Sequence, residues 1–131
     1  IEEGSWKLAA DLPVKAGGDD TAPTPGMLGR GALASCLAIA ISMWAARANI
    51  QIDALEVEVQ AEFDARGQYG VGEDIAAGYQ EVRYVIAIDS PAPEDDVVRL
   101  LETAERHSPY VDVFGRGQSM RRSLRLNGRD V

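Results

Sequence analysis

Cysteine and histidine are almost absent from this sequence, and their scarcity excludes several kinds of site. The 131 residues include one cysteine, Cys36, and one histidine, His107. One cysteine cannot form a disulfide within the chain, and the two residues together are too few for a zinc site of Cys and His ligands. We therefore expect no metal and no cofactor, and the lack of disulfides favours a cytoplasmic protein.

Positive charge is also scarce. The sequence has 13 Lys and Arg against 21 Asp and Glu, which gives a formal net charge of −8 at pH 7. A surface of this sign repels phosphates and anionic lipid headgroups, so we expect neither nucleic acid nor a membrane as a partner. The longest apolar run, Gly31–Ala46, is too short for a membrane span and is rich in small residues, which favours a buried helix.

The first residues lack the features of a signal peptide, and a starting methionine is also lacking. Ile1–Gly4 is acidic and is not followed by a long apolar stretch. Because the sequence starts at Ile1, we expect further residues upstream. The length predicts a single domain over residues 1–131.

Apolar periodicity predicts an α+β domain around one long helix. In Leu55–Phe63, apolar and polar side chains alternate as in a half-buried strand, and Tyr79–Asp89 has the same period. We expect these two strands to form a hairpin. The remaining predicted elements are a strand at Ser5–Pro13, a loop at 15–26, a helix at Met27–Asn49, a loop at 66–74, a helix that starts within 90–96 and ends at Pro109, and a strand at Ser119–Leu126.

The long helix is apolar on all sides through its middle, so one sheet cannot cover it. A symmetric homodimer, in which a second chain covers the exposed faces, is the economical arrangement. Met27, Met43 and Trp44 on this helix are most simply core or dimer packing. They are equally suited to line an apolar pocket beside Cys36 for a hydrophobic ligand.

Three segments resemble the OsmC and Ohr family, named for osmotically inducible protein C and organic hydroperoxide resistance. Gly17–Pro25 resembles the glycine-rich, proline-ended loop before the family's central helix. Ala32–Leu37 resembles the part of that helix that carries a reactive cysteine. Leu100–Pro109 resembles the helix whose end reads Cys-Pro in the family. The resemblance extends over the chain from Trp6 to Leu126.

The resemblance implies an intertwined homodimer in which antiparallel sheets wrap around paired central helices. It also implies an antioxidant function in oxidative stress, the thiol-dependent reduction of organic hydroperoxides, with electrons returned by an external thiol or dithiol. In the family scheme the helix cysteine attacks the peroxide. An arginine holds the thiolate, a glutamate early in the helix orients that arginine, and a second cysteine resolves the sulfenic acid.

The chain departs from this scheme at several positions. Cys36 matches the peroxidatic cysteine, but Ser108 occupies the position of the resolving cysteine. Gly26 and Met27 stand where the early-helix glutamate belongs. Arg30 is the first arginine in the chain and lies nearly two helical turns before Cys36, which makes it a weak partner for the thiolate. The resemblance therefore points to a divergent member with a one-cysteine mechanism.

Each of these residues also has a purely structural interpretation. Cys36 would be a small buried apolar residue, Ser108 a C-cap or turn residue before Pro109, and His107 a surface residue at a helix end. On that interpretation the chain is a non-catalytic OsmC-like protein that binds a small hydrophobic ligand at the dimer interface.

Overall fold

The computed structural model describes residues 1–130 and shows a central helix packed against a β-hairpin and two further helices. The elements, in chain order, are β1 (Glu2–Glu3), β2 (Trp6–Lys7), a 3-10 turn (Val14–Ala16), α1 (Pro25–Ala48), β3 (Ala54–Phe63), α2 (Ala65–Gln68), β4 (Tyr79–Asp89), α3 (Glu94–Arg106), α4 (Pro109–Gly115), β5 (Arg125–Leu126) and β6 (Arg129–Asp130). Each strand pairs antiparallel with its neighbour in sequence, as β1–β2, β3–β4 and β5–β6.

Helix α1 begins and ends at clear capping residues. Thr24 is the N-cap, and its hydroxyl accepts a hydrogen bond from the Met27 N–H at 3.2 Å. Pro25 occupies the first helical position, where its missing N–H has no cost. Asn49 ends the helix with a left-handed φ of 54°. The predicted long helix is therefore confirmed, with a start two residues earlier than the sequence pattern indicated.

The hairpin of β3 and β4 places its apolar side chains on one face. The register pairs Leu55 with Ile88, Val57 with Ile86 and Ala61 with Val82. Because side chains alternate along a strand, this register turns the apolar set of both strands toward α1 and the glutamates of β3 toward solvent. The predicted hairpin is confirmed.

The core of the chain lies on one side of α1, where Ala40, Ile41 and Ala45 pack with Leu100 and Ala104 of α3. We call this side the inner face. The outer face consists of the exposed positions Gly31, Ser35, Ile39, Met43 and Ala46. Ile39 and Met43 are 68% and 42% exposed. Within the described residues, the helix is thus buried on one face rather than on all sides.

Helix α1 is longer than the apolar run from which it was predicted. By length and composition alone, its 24 residues suffice to cross a membrane, which corrects the expectation that the run is too short. The expectation counted only Gly31–Ala46 and missed the first turns of the helix. A core helix passes the same test, and α1 contacts β3, α3 and α4 of its own chain.

The two predicted terminal strands are wrong in extent. Only Trp6–Lys7 of Ser5–Pro13 is a strand, paired with Glu2–Glu3 across a turn that contains Gly4, whose φ is 57°. Only Arg125–Leu126 of Ser119–Leu126 is a strand, paired across the Asn127-Gly128 turn. An alternating pattern is not enough for a strand without a neighbour to pair with.

Two short helices lie where the sequence predicted loops or a helix end. Asp64 caps α2 through the Arg66 N–H, so part of the predicted loop 66–74 is helical. Pro109 follows the end of α3 as expected, but it also begins α4. The Ser-Pro pair is a start signal, with the serine at N-cap and the proline at the first helical position.

Candidate functional site

Cys36 lies half-buried in the middle of α1, opposite the junction between α3 and α4. Its Sγ is 3.4 Å from the Oγ of Ser108. The two residues are 72 positions apart in sequence, so only the packing of α1 against α3 and α4 brings them together. The structure thus joins the two residues that the family resemblance paired as peroxidatic and resolving positions.

Ser108 is the one buried polar residue among the described residues, with 1% of its surface exposed. It is the N-cap of α4, and its Oγ accepts a hydrogen bond from the Val111 N–H at 3.4 Å. The interpretation of Ser108 as a C-cap or turn residue is therefore corrected. A buried hydroxyl keeps both of its contacts because burial without partners is costly.

Arg30 lies at the start of α1 and points away from Cys36. Side chains on a helix lean toward its N-terminus, and Arg30 Nη1 would lie 3.5 Å from a Cβ placed on Gly26. Cys36 is about 9 Å further along the helix axis and roughly 120° around it. Within residues 1–130, no hydrogen bond or ion pair joins Arg30 to the sulfur. Its role as thiolate partner stays a prediction.

Tyr79 of the hairpin lies beside Gly26, one of the two positions at which the resemblance places the early-helix glutamate. The Tyr79 hydroxyl donates a hydrogen bond to the Gly26 carbonyl at 3.0 Å, and the Tyr79 ring stacks on Phe114 of α4. A Cβ at Gly26 would lie 3.3 Å from the Tyr79 hydroxyl. Any side chain at this position would therefore require Tyr79 to shift.

The three residues predicted to line an apolar pocket do not share one. Met27 is 56% exposed at the start of α1, and Met43 lies on the outer face. Trp44 lines an open cleft of about 640 Å³ between the end of α1 and the start of α3, together with Ile50, Pro93 and Leu100. Eight residues along a helix amount to about 12 Å, so this cleft lies well beyond Cys36.

His107 packs against Trp44, near the end of α1. The two rings pack with centroids 5.2 Å apart, and Arg47 lies over the Trp44 ring at 4.9 Å. The exposed position of His107 fits the interpretation of a surface residue at a helix end. The described residues give the buried Trp44 Nε1 no hydrogen-bond partner.

Sequence reasoning missed the contacts of Val111 and Tyr79. The Ser-Pro start signal would have located the Val111 N–H, because the N-cap side chain accepts from the third helical N–H. No local signal marks the hydrogen bond from Tyr79 to Gly26, which spans 53 positions.

A long helix that carries a thiol, packed on an antiparallel hairpin and two later helices, defines an α+β protein of the OsmC-like class. The family model described as "OsmC: OsmC-like protein" matches residues 17–121. The chain belongs to the OsmC family, and the predicted α+β, OsmC-like fold of the single chain is confirmed. Curated protein sequences give no match to the chain.

Several solved structures share this fold. An OsmC-like hydroperoxide resistance protein from Jannaschia sp. CCS1 is 20% identical, with 86% of this chain and 73% of that chain covered and a TM-score of 0.67. An OsmC-like protein from Mycoplasma pneumoniae is 17% identical, with 79% and 68% covered and a TM-score of 0.67. An organic hydroperoxide resistance protein OsmC from Legionella pneumophila is 21% identical, with 85% and 75% covered and a TM-score of 0.63.

Proposed function

We propose that this protein is a thiol-dependent peroxidase that reduces organic hydroperoxides through Cys36. The observation that carries the proposal is the position of Cys36, half-buried in the central helix with its sulfur 3.4 Å from a fully buried hydroxyl. Family membership supports the substrate class, since structural neighbours are named hydroperoxide resistance proteins.

The reaction at Cys36 is a two-electron transfer of oxygen. The Cys36 thiolate attacks the terminal oxygen of the hydroperoxide, an S–O bond forms and the O–O bond breaks. The sulfur is oxidised to a sulfenic acid, and the departing alkoxide takes a proton to become an alcohol. Apolar residues around α1 suit the organic part of such a substrate.

The sulfenic acid needs a reductant from outside the chain. Since residues 1–131 contain a single cysteine, no disulfide can form between two of these residues. An external thiol condenses with the sulfenic acid to a mixed disulfide and water, and a second thiol group releases Cys36 as a thiol. A dithiol supplies both groups. This chemistry suits a reducing compartment, and we place the protein in the cytoplasm.

The working unit is a homodimer in which the two chains intertwine. The outer face of α1 leaves Ile39 and Met43 exposed, and the terminal hairpins leave Trp6 79% and Leu126 54% exposed. Met120, between α4 and β5, is 92% exposed. Apolar surface of this extent in one small chain is typical of an interface. A second copy covers it by packing helix on helix and by extending the short terminal strands.

The alternative is a non-catalytic OsmC-like protein that binds a small hydrophobic ligand at the dimer interface. The observation in its favour is the electrostatic surroundings of Cys36. In residues 1–130 no Lys or Arg forms a hydrogen bond with its sulfur, and the early-helix positions are Gly26 and Met27 rather than a glutamate. A reactive thiolate normally has a cation or a helix N-terminus nearby.

Oxidation of Cys36 separates the two functions. The purified protein is treated with one equivalent of cumene hydroperoxide, and sulfenic acid is trapped with dimedone and located by peptide mass spectrometry. The peroxidase predicts stoichiometric dimedone labelling at Cys36, turnover of peroxide when a dithiol is added, and loss of both in Cys36→Ser. An unlabelled Cys36 with no turnover would leave the ligand-binding function.

A further inference from the structure

The two contacts of the Ser108 hydroxyl fix the direction of its hydrogen bonds. The Val111 N–H can only donate, so Ser108 Oγ is the acceptor in that bond. The hydroxyl proton remains free for the second contact, the Cys36 Sγ at 3.4 Å. A hydroxyl is a stronger donor than a thiol, and a thiolate has no proton to give. When Cys36 is ionised, Ser108 is therefore the donor.

We propose that Ser108 is a positioning residue that donates a hydrogen bond to Cys36 Sγ and thereby stabilises the attacking thiolate. The inference deepens the proposed peroxidase function and rests on it for its role in turnover. Ser108 contacts the Cys36 sulfur, so its effect on the reaction is exerted through Cys36.

The surroundings of Cys36 make this hydrogen bond important. Within residues 1–130, no Lys or Arg forms a hydrogen bond or an ion pair with the Cys36 sulfur. Arg99 on α3 and Arg116 at the end of α4 are instead paired with Asp96 and Asp112. A half-buried anion without a cation depends on the remaining donors, and hydrogen bonds to charged groups are the stronger ones. Since Ser108 is 1% exposed, water cannot easily take its place.

The same contact affects the fate of the oxidised cysteine. A hydroxyl cannot form a disulfide with the sulfenic acid, so that intermediate persists until a small external thiol enters. The thiol forms a mixed disulfide with Cys36 and water leaves; a second thiol then restores the cysteine and departs as its own disulfide. At the position where the resemblance places a resolving cysteine, Ser108 thus supplies a hydrogen-bond donor that stabilises the Cys36 thiolate.

The first test is the pH profile of Cys36 alkylation by iodoacetamide in Ser108→Ala. We expect the rate at pH 7 to fall about tenfold and the profile to move to higher pH, with rates that converge in strong alkali, because only the ionised fraction changes. Thr24→Ala is the matched control, since it removes the N-cap hydroxyl of α1 without touching Cys36. An unchanged profile in Ser108→Ala would overturn the proposal.

The second test uses Ser108→Cys and does not depend on the stability of the alanine variant. Because the side-chain atoms at positions 36 and 108 are only 3.4 Å apart, diamide should close a disulfide between these two positions, with the loss of two protons and two electrons. Two thiols that both survive diamide would overturn the geometry. Neither readout uses a peroxide, so a wild-type protein that forms no sulfenic acid would refute the peroxidase function separately.

Discussion

The inner and outer faces of α1 both carry large apolar side chains, but their surroundings are opposite. On the inner face, Leu33, Leu37 and Ile41 are at most 2% exposed beneath β3, α3 and α4. On the outer face, Ile39 is 68% exposed although it is as apolar as its neighbours. The hydrophobic effect acts on both faces alike, so the difference shows where this chain completes its own core and which face the proposed second copy would cover.

The largest expected effect comes from breaking the inner face. Leu37→Ala removes a side chain with no exposed surface, and we expect it to lower the free energy of unfolding by about 2–5 kcal/mol, through lost burial and the cavity left behind. Urea denaturation followed by circular dichroism measures the change. Val98→Ala on α3, where Val98 is 46% exposed, is the control and should cost far less. Equal losses would show that α1 has no distinct inner face.

The next effect comes from placing a charge on the outer face. Ile39→Lys should weaken the proposed homodimer by more than about tenfold, because a lysine ammonium in the middle of the proposed apolar interface must lose water without a partner. Sedimentation equilibrium measures the dissociation constant. Lysine reduces the net charge of −8, so added repulsion between subunits cannot explain dissociation.

Val98→Lys provides the control for that experiment, because it puts the same charge on an exposed apolar position of α3. The control should leave the oligomeric state as it is in the unmodified protein. A dimer that persists with unchanged affinity in Ile39→Lys would show that the outer face is covered by something other than a second copy.

The elements that form and cover the inner face show how much of the structure could be predicted from the sequence. The long helix α1 and the pairing of β3 with β4 could be predicted from local signals, because helix breakers and alternation act over a few residues, whereas the start of α1 and the register of the hairpin came from the structure. The resemblance to the OsmC family selected both Cys36 and Ser108 before their contact was known. Ser108 as a donor oriented by Val111 was not predicted, because that assignment needs the packing of α1 on α4.

In the two terminal segments, by contrast, local sequence patterns predicted more strand than the structure contains. The side chains alternate there, but strands exist only where a neighbour supplies the hydrogen bonds. Trp6 and Met120 are therefore apolar side chains that no element of the same chain buries.

Two contacts near the start of α1 differ in how far they could be predicted. The direction of the Arg30 side chain along α1 follows from helix geometry and could have been predicted, whereas the hydrogen bond from Tyr79 to Gly26 could not.

The smallest expected effect concerns a loop that is ordered by hydrogen bonds rather than by the burial of apolar side chains. Residues 11–21, before α1, are held around one carboxylate. Asp11 accepts hydrogen bonds from the Thr21 N–H, the Thr21 hydroxyl and the Leu12 N–H, at 3.0, 2.8 and 2.7 Å. Led by the Thr21 bonds, these contacts lower the pKa of Asp11 from 3.8 to about 2. They favour the ionised form and are lost when the carboxyl group is protonated.

Because the folded-state pKa of Asp11 is below its unfolded value, the contribution of this carboxylate is complete above about pH 3.8 and is lost as the pH falls through about 2. Carboxyl and amide NMR titration should show Asp11 and the Thr21 N–H changing together in that window, and Asp11→Asn should abolish the transition. A titration at the ordinary pKa, with the Thr21 amide unmoved, would contradict it. Such a result would mean that hydrogen bonds to Asp11 do not hold the loop in place. That outcome is not expected, because backbone N–H groups of the loop surround Asp11 and hardly any apolar surface is buried there.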